Sequence, residues 1–232
     1  MRVAKYISNS GQCSRRDAEK LILDKKVEIN GIICAKPNIN VSSQDIIKVN
    51  GKIIKLINNL RLWKIYKPIK IICSNKDNKM RKTLFELIPD EMPRVISIGR
   101  LDYMSEGLIL LTNNGDFARK LELPSSNIER NYKVYLKNSI NINEVRKINN
   151  GITIDNLSYK KINAQILVNS KNNSIITFRL KEGKNREIRK ICKFFNWKIV
   201  KLIRTHFGSI NCQDLKPGQI EEIDEIPKEF ND

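Results

Sequence analysis

The sequence has few of the residues that build disulfide frameworks or zinc sites. Its 232 residues include one histidine, His206, and five cysteines, none of them in a C-x-x-C pair. An odd number of unpaired cysteines indicates reduced thiols in a cytosolic protein and argues against a disulfide scaffold. The usual structural zinc site needs more histidine or paired cysteine ligands than this sequence offers. We therefore expect no metal ion, and since no nucleotide-binding motif is found, no cofactor.

Long hydrophobic runs are also missing. The N-terminus has no apolar core of the kind found in signal peptides, and no segment approaches the ~20 apolar residues of a membrane span. We expect a soluble, cytoplasmic protein without a membrane partner.

Acidic residues are in short supply. The chain has 25 Asp and Glu against 43 Lys and Arg, which gives a formal net charge of +18. A strongly basic protein suits a polyanionic partner, because phosphate contacts dominate the affinity for nucleic acids. The alternative is that codon bias toward Lys, Ile and Asn accounts for part of this charge. Nucleic acid remains the leading class of partner.

Length and composition predict two domains. With 41% hydrophobic residues, the chain can bury one sizeable core and carry a small additional module. Residues 55–61 contain an Asn-Asn pair and neither Pro nor Gly, which is a weak linker signal. We place the small domain at residues 1–58 and the large domain at residues 62–232.

The small domain reads as two helices followed by β-hairpins. Apolar residues at helical spacing occupy positions 3–7, and Ser14 with Asp17 forms a capping box before a helix over residues 15–24. Two Asn-Gly pairs flanked by β-branched residues then predict hairpins around residues 30–31 and 50–51.

The large domain alternates strand-like runs with short helical ones. Helical patterns occur near residues 117–123 and 143–148. Strand-like runs lie at residues 62–66, 95–98, 108–111, 132–136, 164–168, 175–180 and 197–203. Because few long helical crossovers separate these runs, we predict an α+β fold with a mainly antiparallel, mixed sheet.

One polar stretch stands between two apolar runs of this domain. The sequence Gly99-Arg100-Leu101-Asp102 precedes a long apolar segment that ends at Gly115. A scaffold presents chemistry in such loops, so Asp102 is a candidate nucleophile or base. The alternative is that Asp102 only caps a turn.

Two further segments contain candidate site residues. Tyr132 lies at the entrance of a strand, where a tyrosine can stack on an extruded base while its phenol acts on a proton; the alternative is a core tyrosine. In the helix that begins near Glu187, Arg189 lies on the flank of an apolar stripe and can reach a carboxylate. A solvated helix charge is the alternative for Arg189.

These motifs resemble a known family. Residues 98–115 are similar to the catalytic signature of bacterial ribosomal RNA pseudouridine synthases, and residues 1–58 resemble the alpha-L RNA-binding domain that many RNA-modifying enzymes share with a small-subunit ribosomal protein. The family has a glycine where this chain has Lys70, which leaves the local turn geometry open.

The resemblance implies an isomerase that converts a specific uridine of ribosomal RNA to pseudouridine. It implies that Asp102, Tyr132 and Arg189 are catalytic, that Arg189 pairs with Asp102, and that Ile203 packs under the site.

Arg16 and Lys20 lie four residues apart on one side of the second helix, and with Arg15 and Lys5 they can line phosphates. The further candidate RNA-binding residues are Arg100, Arg186 and Lys190. A solvated helix face is the alternative for the charges of the small domain. The uridine is expected to flip out of its stack.

Several alternatives stay open at this point. Asp102 can attack the anomeric carbon, add to the pyrimidine ring, or act first as a base on the ribose. The segments 185–189 and 216–218 look more like members that modify the large subunit, so a structured stem-loop of large-subunit rRNA is the expected partner of a monomeric enzyme. A non-catalytic ribosome-assembly factor is the alternative function. A metal-dependent nuclease would need clustered carboxylates or histidines, which the sequence lacks.

Overall fold

The computed structural model describes residues 1–75 and 77–230. The last two residues of the predicted 62–232 domain, Asn231 and Asp232, lie outside the described residues. Within the described part, no helix is both long and apolar enough to cross a membrane.

The first 54 residues form two helices and a small sheet. Helices α1 (Val3–Asn9) and α2 (Arg15–Leu23) pack on a four-stranded antiparallel sheet of order β2-β1-β3-β4. The Ser14 hydroxyl accepts a hydrogen bond of 3.1 Å from the Asp17 amide, as the capping box predicts. The strands are β1 (Val27–Ile29), β2 (Ile32–Ile33), β3 (Ile47–Val49) and β4 (Lys52–Ile54).

Both hairpins occur where the Asn-Gly pairs predict them. Asn30 and Gly31 have φ values of +52° and +84°, the combination that a type I′ turn requires. Apolar side chains from both helices and the sheet share one core. Residues 55–61, which follow, belong to no helix or strand.

The rest of the chain is built on one large mixed sheet. Nine strands take the order β11-β12-β8-β13-β7-β5-β15, with β14 paired to β13 and β6 paired to β7. All pairs are antiparallel except β7 with β13. The strands of this sheet are β5 (Leu62–Lys67), β6 (Ile96–Ile98), β7 (Glu106–Thr112), β8 (Arg130–Leu136), β11 (Asn163–Val168), β12 (Ser174–Leu180), β13 (Ile199–Phe207), β14 (Ile210–Asn211) and β15 (Ile220–Ile223).

Helices cover this sheet, and a separate hairpin packs against the same core. The helices are α3 (Gly115–Glu122), α4 (Ile142–Asn150) and α5 (Glu187–Phe194), with short 3-10 turns at Leu84–Leu87, Pro124–Ser126 and Lys228–Phe230. Strands β9 (Ile152–Ile154) and β10 (Leu157–Tyr159) form the two-stranded hairpin. The predicted α+β class with a mainly antiparallel sheet is confirmed.

The parallel pair of strands lies at the centre of the sheet and depends on a glycine. A Cβ added to Gly107 of β7 would come within 2.2 Å of the Arg204 carbonyl oxygen of β13. The φ of Gly107 is +102°, which side chains rarely tolerate. Glycine at this position therefore lets β13 pair closely with the strand that follows the Asp102 loop.

The predicted strand over residues 197–203 is wrong at both ends. Trp197 is buried, and its indole nitrogen donates a 2.9 Å hydrogen bond to Glu144 of α4. Asn196, with a φ of +55°, turns the chain between α5 and β13. The strand therefore begins at Ile199 and continues to Phe207.

Candidate active site

Asp102 lies in the loop that joins two buried strands, β6 and β7. The Ser105 amide donates a 3.0 Å hydrogen bond to the Asp102 carbonyl oxygen, which closes a tight turn. Next to Asp102, the Leu101 side chain is buried and its amide lies 3.4 Å from the Cys73 sulfur. These contacts fix the loop while the Asp102 side chain stays 35% exposed.

Arg189 of α5 holds both the carboxylate and its loop. Its Nε lies 3.1 Å from Asp102 Oδ2, so the pairing that the resemblance implies is present. Its Nη2 donates to the Ser105 hydroxyl at 2.8 Å and to the Met104 carbonyl oxygen at 2.9 Å. One of these hydrogen bonds orients the Asp102 carboxylate, and the other two fix the loop that carries it to the same planar guanidinium group.

The start of α5 contributes two further charged side chains, those of Arg186 and Glu187. Arg186 has a left-handed backbone with a φ of +53° and is exposed. Glu187 is buried, and its carboxylate accepts a 3.2 Å hydrogen bond from the Lys184 amide. Burial raises the pKa of the Glu187 carboxyl group.

A cavity of about 670 Å³ opens beside Asp102. Its wall includes four of the residues that the sequence analysis selected besides Asp102: Arg100, Tyr132, Arg186 and Arg189. Tyr132 is half-buried on β8. The volume is within the range of sites that enclose small ligands. A carboxylate and a phenol therefore line one cavity. The cavity is open to solvent, and basic residues lie at its rim.

The other selected residues lie elsewhere. Lys190 is exposed on α5 and does not line the cavity, whereas Arg15, Arg16 and Lys20 are exposed on α2. The ammonium group of Lys5 lies 2.8 Å from the carboxylate of Asp116 on α3, so Lys5 bridges the two parts of the chain.

Ile203 is not brought into the cavity. Side chains alternate along a strand, and the cavity is lined by Leu202 and Arg204 on either side of Ile203. The Ile203 side chain instead lies against Gly107. The expectation for Ile203 is therefore wrong, and the apolar residues of β13 that line the cavity are Leu202 and Phe207.

A buried lysine that is not predicted from the sequence supports the Asp102 loop. The Lys67 ammonium group donates to the Ser105 carbonyl oxygen at 2.7 Å and to the Pro68 carbonyl oxygen at 2.8 Å. Its side chain has no exposed surface, and burial lowers its pKa to about 8. A lysine at the end of a predicted strand carries no signal of this burial.

The turn after Pro68 forms without the glycine of the family. Lys70 adopts a left-handed backbone with a φ of +61°. Its amide donates a 2.7 Å hydrogen bond to the Tyr103 carbonyl oxygen in the Asp102 loop. Lys70 therefore forms a left-handed turn at the cost of some backbone strain.

We expect Lys67→Met to lower the free energy of unfolding, because it leaves two buried carbonyl oxygens without a donor. The pKa of Lys67 is lowered from 10.5 to about 8 in the folded state, so between these values the unfolded chain binds more protons. The free energy of unfolding of the wild type should therefore increase relative to that of Lys67→Met as the pH rises from about 8 to 10.5. Urea unfolding of both proteins across this range measures the difference; a difference independent of pH would contradict the assignment.

No metal site is evident in the described residues, among which no group of three or more His, Cys, Asp or Glu side chains could hold an ion. All five cysteines lie in the described part and are free thiols.

Comparisons with known proteins agree with this geometry. Residues 61–194 match the family model of RNA pseudouridylate synthases, and residues 1–47 match that of the S4 domain. An uncharacterized RNA pseudouridine synthase of Rickettsia typhi is 48% identical over 222 residues, which cover 96% of this chain and 91% of that protein. Ribosomal large subunit pseudouridine synthase B of Bacillus subtilis is 33% identical over 224 residues, with 96% and 91% covered.

A solved structure has the same fold. A crystal structure of a pseudouridylate synthase superposes with a TM-score of 0.69 at 23% identity and covers 100% of this chain and 98% of that one. Since the family model matches more than half of the chain and the relatives match nearly all of it, the chain belongs to the RNA pseudouridylate synthase family and carries an N-terminal S4 domain.

Proposed function

We propose that this protein converts a specific uridine in a structured stem-loop of large-subunit ribosomal RNA to pseudouridine. The observation that carries the proposal is the Asp102 carboxylate, which Arg189 holds at 3.1 Å beside a cavity that Tyr132 also lines. The name of the Bacillus subtilis relative supports the large subunit as the target.

Asp102 is the proposed catalytic residue, and Arg189 positions it. The reaction breaks the bond between ribose C1′ and N1 of the base and forms a bond between C1′ and C5. Attack on C1′, addition to the ring and proton abstraction from the ribose all require an unprotonated carboxylate that faces the nucleotide. Tyr132 stacks on the ring or exchanges a proton with it.

The target nucleotide must leave its stack to reach this carboxylate. Extrusion costs a few kcal/mol, which contacts between the protein and phosphates offset. Arg100 and Arg186 are exposed at the cavity wall and are the proposed phosphate contacts near the flipped uridine. Lys190 extends this basic surface along α5.

The S4 domain is the proposed second RNA contact. We assign residues 1–58 to RNA binding and residues 62–232 to catalysis, in a cytoplasmic monomer without a cofactor. The three exposed basic residues of α2, Arg15, Arg16 and Lys20, are the proposed phosphate ligands. Lys5 contributes by fixing the orientation of the domain through Asp116.

Pseudouridine mapping across all stable RNAs, in cells with and without the gene, tests the target. We expect one or very few signals to be lost, in large-subunit rRNA near a stem-loop that is accessible before the subunit is complete. A loss in small-subunit rRNA would overturn the subunit, and a loss in tRNA would overturn the RNA class. If no signal is lost, the protein is a non-catalytic assembly factor.

Charge reversal on α2 tests the role of the S4 domain. In the triple variant Arg15→Glu, Arg16→Glu, Lys20→Glu, we expect KM for the RNA to rise at least about tenfold while kcat stays within about twofold, because phosphate contacts supply affinity and not chemistry. The slope of log affinity against log salt should fall by about 2 to 3.

The matched control reverses three exposed lysines of the same domain outside α2, namely Lys36, Lys52 and Lys55. The control changes net charge by the same amount and should weaken binding much less. Equal effects of the two triple variants would show that only total charge matters and would contradict the assignment to α2.

A further inference from the structure

The Asp102 cavity contains a buried arginine whose hydrogen-bonding capacity is only partly used. Arg204 of β13 is 2% exposed and lines the cavity. Its Nε donates a 2.7 Å hydrogen bond to the Leu108 carbonyl oxygen, whereas its buried Nη2 has no hydrogen-bond partner among the described residues. A buried, charged donor without a partner is costly, so its retention points to a ligand.

A second buried arginine beside it differs in this respect. Arg130 of β8 is 8% exposed, and it donates at 3.1 Å to the carbonyl oxygens of Leu121, Ile128 and Lys181. Both guanidinium groups lie against the Phe207 ring, at 4.8 Å for Arg130 and 5.6 Å for Arg204. Arg130 is therefore satisfied by the protein, and Arg204 is not.

Neither guanidinium has a counter-charge in direct contact. No carboxylate among the described residues forms an ion pair with Arg130 or Arg204. These two residues make their part of the cavity wall positively charged, while the carboxylates of Asp102, Glu122, Glu182 and Glu187 line other parts of it. Low local polarity strengthens the attraction of an oxygen acceptor placed beside the buried guanidinium groups.

The burial of Arg204 indicates which part of the nucleotide it contacts. Arg100 and Arg186 are exposed at the wall, where a hydrated phosphate can remain in water. Arg204 is buried at the strand position paired with Tyr132 in the sheet register. An extruded nucleotide presents its base, and not its phosphate, at this depth. Uracil offers two carbonyl oxygens as acceptors.

We propose that the Arg204 guanidinium group binds a carbonyl oxygen of the extruded uracil ring. When the bond between C1′ and N1 breaks, its electron pair stays with the ring and is shared with O2 and O4. A cation at either oxygen stabilises this charge until C5 bonds to C1′, after which C5 loses its proton and N1 gains one. The inference rests on the proposed catalytic role of the Asp102 cavity.

Sulfur substitution in the substrate tests this contact. Single-turnover rates are measured for wild type and Arg204→Met on the mapped stem-loop that carries uridine, 2-thiouridine or 4-thiouridine at the target. On uridine we expect a loss of about 100-fold. On one of the two thio substrates the loss should shrink to below about tenfold, because sulfur is a poor acceptor and the contact is already weakened. The position that shows this effect identifies the oxygen.

Arg130→Met is the matched control, since it removes the other buried guanidinium group that contacts the Phe207 ring. We expect it to lower the melting temperature and to cost the same factor on all three substrates. If Arg204→Met does not fold, Arg204→Lys replaces it, because lysine keeps the charge and should show a smaller loss with the same dependence on one thio substrate.

Equal losses on all three substrates for a folded Arg204 variant would overturn the inference. Failure of the wild-type protein to convert any RNA would instead overturn the proposed function, so the two failures are distinguishable.

Discussion

Asp102→Asn should abolish pseudouridine formation, with a loss on the order of 10⁴-fold or more in kcat. The amide is nearly isosteric with the carboxylate, and its oxygen can still accept the hydrogen bond that Arg189 Nε now donates at 3.1 Å. The loop and the hydrogen bond from Arg189 should therefore survive, although the ion pair is lost. An amide, however, is neither a nucleophile nor a base at neutral pH, so every route open to Asp102 is closed.

Tritium release or chemical mapping on the target stem-loop measures the turnover, and filter binding measures the affinity for RNA. Affinity should stay within about threefold of wild type, because the phosphate contacts are unchanged. Asp90→Asn provides the control, since it removes an exposed carboxylate outside the cavity. Turnover of Asp102→Asn within about tenfold of wild type would refute the assignment of Asp102.

Local sequence patterns predicted the elements that depend on local physics. Capping at Ser14, the Asn-Gly turns and the loop before β7 all arise from residues close together in the chain, and each occurs as predicted. Strands β9, β10, β14 and β15 were not predicted, because they are at most four residues long and, unlike the short strands β1 to β4, are not joined in hairpins by an Asn-Gly turn.

The face of β13 that lines the cavity is a second feature that local sequence does not determine. The sequence makes Leu202 and Ile203 equally apolar, and a shift of one residue exchanges the two faces of a strand. Which face meets the cavity is decided by pairing with β8 and β7, including an irregularity in the β8 register between Arg204 and His206. Distant residues set this pairing, so the choice of Ile203 could not be tested locally.

The burial of charged side chains is a third feature that local sequence does not determine. Lys67 and Arg204 look like ordinary surface residues in the sequence, since basic side chains are seldom fully buried. Their acceptors are the carbonyl oxygens of Ser105 and Leu108, which only the folded sheet brings to them. Lys5 likewise looked free for RNA, and its partner Asp116 lies on the other side of the linker.

Arg189→Met should lower kcat by about 10² to 10³-fold and change the affinity for RNA little. The substitution removes the bond to Asp102 and the bonds of 2.8 Å and 2.9 Å to Ser105 and Met104, so the carboxylate loses its partner and the loop loses a clamp. Packing of the methionine beside the buried Ile188 should preserve α5. Single-turnover kinetics at saturating enzyme separates this loss from binding.

Arg189→Lys tests whether the hydrogen-bonding geometry of the guanidinium group matters in addition to its charge. A lysine ammonium group can pair with Asp102, but it lacks the planar fork that reaches Ser105 and Met104 at the same time. We expect Arg189→Lys to lose at least about tenfold in kcat despite its unchanged charge. Lys193→Met, an exposed position one turn further along α5, should leave kcat within about twofold of wild type. Full activity of Arg189→Lys would show that charge alone suffices, and equal losses in Arg189→Met and Lys193→Met would place the effect in the helix and not in the contact with Asp102.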